Sequence, residues 1–129
     1  MNARALLFFL LVPLLRAELP PSAYESMQAK APEYLKIEVL RVSVEPGESP
    51  TQQRVHVVAM ATEVFRTATS LKPNDIVNIL YIVTEHPRGW VGPGEVPMLK
   101  EKERTVAYLS RTEGDDFVPA AGRMSFSNF

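Results

Sequence analysis

YLKIEVLRVSV, residues 34–44, alternates apolar and polar side chains and then breaks step. Leu35, Ile37 and Val39 fall on one side of an extended chain and Lys36 and Glu38 on the other, which is the period of a half-buried strand. The apolar set then moves to Leu40, Val42 and Val44. Side chains alternate strictly across a strand, so a one-residue jump turns the buried face outward. Either a bulge lies near Val39 and Leu40, or the strand bends and contributes to two faces.

Downstream, EPGESPTQQ has the Pro, Gly and Ser content of a turn. RVHVVAMATEVFRT, from Arg54, is rich in Val and Thr and apolar on both faces in its middle, as a long central strand would be. SLKPND sets Pro73, with its fixed negative φ, before Asn74, which tolerates a positive one. IVNILYIVT, residues 76–84, is β-branched and aromatic over nine residues and reads as a third strand. From Glu85 to about Lys102 no period survives, and a loop of this length in a small domain is either functional or packed by its own side chains. RTVAYLSR resumes the strand pattern, TEGDD turns, and FVPAAGRMSF supplies a short last strand interrupted by Pro119 and Gly122.

Five antiparallel strands, a bent first strand and a long connection between the third and fourth describe an all-β fold, an open five-stranded Greek-key barrel of the OB type. Pattern alone leaves a sandwich as the alternative. Residues 34–129 would form the barrel. Before it, residues 18–33 form an extension with a short helix from about Ser22 to Ala29, where the Ser22-x-x-Glu25 spacing is that of a capping box. Residues 1–17 read as a cleaved signal peptide: MNAR carries positive charge, ALLFFLLVPLL is an apolar run of eleven, and Ala17 is a small residue at the cut. The run is too short for a membrane span of about 20 residues. The expectation is an exported chain, periplasmic or secreted, with no transmembrane anchor once the signal is removed.

Cleavage would take Arg4 and Arg16 with it and leave 12 basic residues against 15 acidic ones. An acidic chain argues against a nucleic-acid partner, whose binding rests on basic groups displacing phosphate counterions. The sequence has no cysteine, which excludes disulfides, a thiol nucleophile and a thiolate zinc site. It also has no nucleophile elbow, phosphate-cradling glycine loop or His-Glu-x-x-His zinc motif. Neither a cofactor nor a bound metal is expected.

YLKIEVLRVSV together with VVAMATEVFRTATSLKPNDIVNILYIV resembles the core of netrin-like modules and tissue inhibitors of metalloproteinases. In those OB-fold domains a leucine-x-x-glycine turn precedes the third strand, and Asn74 stands about where the glycine would be. The long loop and the ending resemble those of short exported bacterial proteins. The resemblance implies the fold. The inhibitors chelate zinc through an N-terminal cysteine, which this chain does not have.

The candidate contact residues are Arg54, His56, Arg66, His86 and Trp90. OB folds bind along the exposed face of strands two and three and the adjoining loops, which selects Arg54, His56 and Arg66. His56, between Val55 and Val57, is opposite in phase to the apolar face and is read as a strand-surface or cross-strand histidine. Trp90, the single tryptophan, lies in RGWVGPGEVP and is either a partner anchor or a plug over one end of the barrel. The plug is preferred, because a burial of roughly 150–250 Å² at about 25 cal/mol per Å² contributes several kcal/mol to a chain without disulfides. The functional expectation is a non-enzymatic binding or interaction module for a protein or other envelope or extracellular ligand, with an inhibitor as a sub-case. A small metal-dependent or acid–base enzyme using Glu85, His86, Asp115 and Asp116 is the second reading, and a self-associating structural or assembly protein is the third.

Overall fold

The computed structural model describes residues 19–86 and 94–128. The chain runs through helix α1 (Pro21–Lys30), strands β1 (Glu33–Pro46), β2 (Gln52–Arg66), β3 (Ile76–Thr84), β4 (Arg104–Arg111) and β5 (Phe117–Pro119), and a short 3-10 helix (Gly122–Met124). The strands close into a barrel in the order β1-β2-β3-β5-β4, with β4 returning to β1. This is an OB-like barrel with one short N-terminal helix, and it is closed where the sequence suggested an open one. One pairing corrects the all-antiparallel expectation: β5 runs parallel to β3 through Ile79 and Phe117. The 19 residues between Thr84 and Arg104, and the reversal at the TEGDD turn, return the chain beside β3 in the same direction as β3 itself.

The break in YLKIEVLRVSV is a bulge. Val39 pairs with Ala59 and Arg41 with Val58, so Leu40 is the extra residue. Its insertion cancels the jump: Val39 points inward, and Val42 resumes packing on the core beyond it. Leu40 does not join a second buried face; its side chain stands in solvent. The interior is filled by Leu35, Ile37 and Val39 from β1, Val55, Val57, Ala59 and Ala61 from β2, and Val77, Ile79 and Tyr81 from β3. Ala107, Leu109, Phe117 and Phe126 complete it. The β2–β3 turn is as read, with Asn74 at φ 77° and the Asp75 N–H donating to the Lys72 carbonyl.

Leu99, buried at 3% exposure, and Val96 enter this core from the aperiodic β3–β4 connection. The Tyr81 hydroxyl holds them there by donating to the Pro97 carbonyl at 2.9 Å. The connection is therefore seated by its own apolar side chains. Trp90, the residue expected to do this, lies outside the described residues.

Helix α1 packs against the outside of the barrel. The Ser22–Glu25 capping box is not formed: Pro20 is the N-cap and no side chain caps the end. Pro21 occupies the first turn, where its missing N–H costs nothing. Gln28, buried on the inner side, donates to the carbonyls of Met124 and Ser127 at 2.8 and 2.7 Å. The last turn of α1 is held by Arg66, whose guanidinium donates to the carbonyls of Gln28 and Ala31 and lies 5.6 Å from the centre of the Tyr34 ring. Below it Tyr34 stacks on Tyr108 at 4.5 Å.

Candidate functional site

Antiparallel register places three rows of side chains on the outer face of β1, β2 and β3. Glu45, Arg54 and Ile82 form one row; Ser43, His56 and Leu80 the next; Arg41, Val58 and Asn78 the third. Their inward-pointing neighbours, Val55, Val57, Ile79 and Tyr81, fix the direction of every one of them through the two-residue period of the strand. Leu80 and Ile82 are apolar on a face the barrel does not cover, and Ile82 is 50% exposed.

Beyond β3 the surface turns into a groove. Its far wall is Val118 and Pro119 of β5 with Gly122 of the 3-10 helix, Val96 stands at one side, and the outer rows of β1 and β2 form the near rim. The groove has a volume of about 810 Å³, within the range of small-molecule and peptide sites. Its apolar parts come from β3, β5, the β3–β4 connection and Val55 of β2, and Ser43, Glu45, Arg54 and His56 of β1 and β2 supply polar groups.

Two of the polar groups are held by neighbours. The Arg54 guanidinium lies 3.6 Å from the Glu45 carboxylate, with both side chains exposed, a pairing that contributes at most about 1 kcal/mol and leaves Arg54 able to turn to a ligand. His56 Nε2 sits 2.9 Å from Asn78 Oδ1. An amide oxygen only accepts, so the ring donates through Nε2 and its Nδ1 remains for another partner. His56 is the cross-strand histidine that its phase suggested, on the groove side of the sheet.

The sequence-derived candidates separate in space. Arg54 and His56 share the groove rim. Arg66 lies at the other end of β2, engaged with α1. His86 lies just past β3, its Nε2 3.3 Å from a Glu95 oxygen, while the other Glu95 oxygen accepts the Thr84 N–H. The groups named for an acid–base or metal role are not brought together: His86 faces Glu95 rather than Glu85, and Asp115 pairs with Arg111 in the β4–β5 turn at 2.8 Å. Among the described residues no group of three or more His, Asp or Glu side chains is placed to hold a metal ion.

The groove walls were not among the candidates. Leu80, Ile82 and Val118 read in the sequence as strand residues of unassigned face. The available signal was that Ile76, Leu80 and Ile82, in the phase opposite to the core, are themselves apolar. Compared with family models, with curated proteins and with solved structures, the chain matches none.

Proposed function

We propose that this protein is a small non-enzymatic binding module that works outside the cytoplasm and takes a protein segment in the groove bounded by β1–β2–β3 and β5. The observation that carries the reading is the groove itself: an apolar floor of Leu80, Ile82, Val118 and Pro119, edged by Arg54 and His56, which reaches the core only at Val55, Tyr81 and Val96 and leaves Ile82 half exposed. A largely apolar concavity with a few convergent polar groups is the usual form of a ligand site. The outer face of the second and third strands is also where OB-like barrels bind. The apolar segment at residues 5–15, with its flanking charges, supports export. The inhibitor-like form of this reading uses the hairpin that follows Glu45 as a contacting edge.

The test is selection of binding peptides from a displayed library on the wild-type protein, followed by measurement of each on Ile82→Glu and Arg54→Ala. Ile82 is half in water, so a carboxylate there leaves the fold intact, which circular dichroism checks. Groove ligands lose at least about tenfold in affinity on Ile82→Glu, a change of about 1.4 kcal/mol. Selected peptides that bind both variants as tightly as wild type would place the site elsewhere and overturn the reading.

A further inference from the structure

β1 has two different halves. From Glu33 to Glu38 it is flanked by β2 on one edge and β4 on the other. At Val39 the second edge is still occupied, by the β4 approach: the Val39 N–H donates to the Glu103 carbonyl and the Lys102 N–H donates to the Val39 carbonyl. From Leu40 to Pro46 only β2 is alongside, among the described residues. Counting back from the Gly47 N–H to Gln52 carbonyl bond, the alternation of an antiparallel ladder assigns the backbone groups of Arg41, Ser43 and Glu45 to β2. Those of Val42 and Val44 point to the open edge. Such an edge is complementary to one thing, another extended backbone.

The open stretch is self-complementary. It is bounded by the Val39 contacts at one end and by Pro46, which has no N–H to offer, at the other. Its midpoint is Ser43. An antiparallel copy of the same strand laid about that midpoint sets Val42 against Val44 of the partner subunit as a hydrogen-bonded pair, and Val44 against Val42 of the partner subunit as a second. Ser43 then faces Ser43 of the partner subunit, and Arg41 faces Glu45 of the partner subunit, both in the closer, non-hydrogen-bonded positions. Arg41, Ser43 and Glu45 share one face and are all exposed. Val44, 46% exposed at the end of the core face, gains an apolar neighbour across the same contact. Any other centre removes the opposition of Arg41 to Glu45 or runs the partner strand into the turn at 100–103.

We infer that the protein forms a symmetric homodimer by antiparallel pairing of β1 edges, in register about Ser43. The contact is isologous, with each pairing occurring twice. The contact adjoins the groove through Ser43 and Glu45, which also line its rim, but it needs no ligand and Ile82 takes no part in it, so loss of peptide binding on Ile82→Glu and loss of the dimer on Arg41→Glu are separate outcomes.

The experiment uses charge reversal and a reporter thiol. Sedimentation equilibrium of the wild-type protein at about 0.1–0.5 mM, sufficient to reveal dissociation constants weaker than micromolar, gives twice the chain mass. Arg41→Glu and Glu45→Arg each sediment as monomers, because each sets like charges opposite each other twice. Mixed in equal amounts they restore a dimer, because both cross-strand pairs of the mixed dimer then set an acidic side chain against a basic one. The mixture also shows that both variants are folded. Ser43→Cys, the only thiol in a chain without cysteine, oxidises to a covalent dimer. The expected Cα separation of about 4.5 Å lies at the near end of the disulfide range of about 4.4–6.8 Å. A wild-type monomer across this concentration range overturns the inference. So does a dimer indifferent to Arg41→Glu, a mixture that stays monomeric, or a Ser43→Cys chain that does not cross-link.

Discussion

Replacing Glu33 by Ala tests how the barrel is held at its β2–β3 end. Glu33 is fully buried at the start of β1, and its carboxylate is shared among donors from one short segment. The Thr69 hydroxyl donates at 3.0 Å, the Ala68 N–H to both oxygens at 3.2 Å, and the Thr67 hydroxyl at closer range. A hydrogen bond to a charged group contributes about 1.5–3 kcal/mol, and a buried donor left without an acceptor costs about 1–3 kcal/mol. Ala68 is exposed, so water can reach part of the segment once the carboxylate is gone, and the donors then recover some of the loss. The net expectation for Glu33→Ala is a loss of about 3–5 kcal/mol, a large share of the roughly 5–15 kcal/mol that holds a domain of this size. Glu33→Gln keeps the shape and one acceptor oxygen and should lose about 2 kcal/mol. Denaturant unfolding followed by circular dichroism measures both, and a loss of 3–5 kcal/mol corresponds to a melting point lowered by roughly 10–20 °C. Thr67→Ala supplies the control: in the background of Glu33→Ala it should cost less than in wild type, because the shared bond is already gone. If Glu33→Ala unfolds within about 1 kcal/mol of wild type with an unchanged denaturant slope, the carboxylate is not anchoring the 67–69 segment and the argument fails.

Two further outcomes follow from local geometry. A methyl group at Gly47 would lie 2.7 Å from Gln52 Cβ and 3.0 Å from its carbonyl oxygen, so Gly47→Ala must spread the β1–β2 hairpin; a loss of about 1–3 kcal/mol in equilibrium unfolding is expected, and a neutral result would show that the hairpin end yields freely. The Tyr108 hydroxyl is pushed up to about 12, chiefly by burial and then by the neighbouring Tyr34. Because the folded value lies above that of the unfolded chain, near 10, the unfolded state gives up its proton first and stability falls as pH rises between the two. Unfolding free energies should be flat up to about pH 10 and drop above it, with Tyr108→Phe removing part of the decline and the rest falling to Tyr81, whose hydroxyl is also pushed up by burial; a decline unchanged in Tyr108→Phe would refute the Tyr108 contribution.

The sequence made the individual strands legible because each one carries its own period. IVNILYIVT and RTVAYLSR are β3 and β4 residue for residue, and the bulge at Leu40 was visible as a one-residue slip in an otherwise regular alternation. Pro73 and Asn74 announced their turn because their backbone preferences are intrinsic to the residues. What the chain did not show is whatever depends on which segments meet. Glu33 reads as one more polar residue ahead of a strand, since its donors lie more than thirty positions away. Arg66 reads as a surface cation until α1 folds back beneath it. Val96 and Leu99 sit in a proline-rich stretch with no period, and nothing local marks them as core. His56 was placed on the outer face by phase alone, but the groove beside it needs β5 to arrive parallel to β3, a long-range event with no trace in either strand.

The bulge at Leu40 ties these features together. A bulge sharpens the local twist and bends the strand that carries it. β1 is 14 residues long and β2 is 15, whereas β4 has eight. β4 accompanies β1 only as far as the bulge, so among the described residues β1 is flanked on both edges before Leu40 and by β2 alone after it. Past that point β1, β2 and the end of β3 continue as a three-stranded ribbon whose inner face is still occupied by Val55, Tyr81 and the seated connection. The outer face of that ribbon is the near side of the groove, and its outer edge is the open stretch from Leu40 to Pro46. A strand without the extra residue would either keep β4 alongside or turn Val42 off the core and into solvent. The inserted leucine avoids both, and in doing so leaves a closed core with the groove and the open edge of β1 beside it.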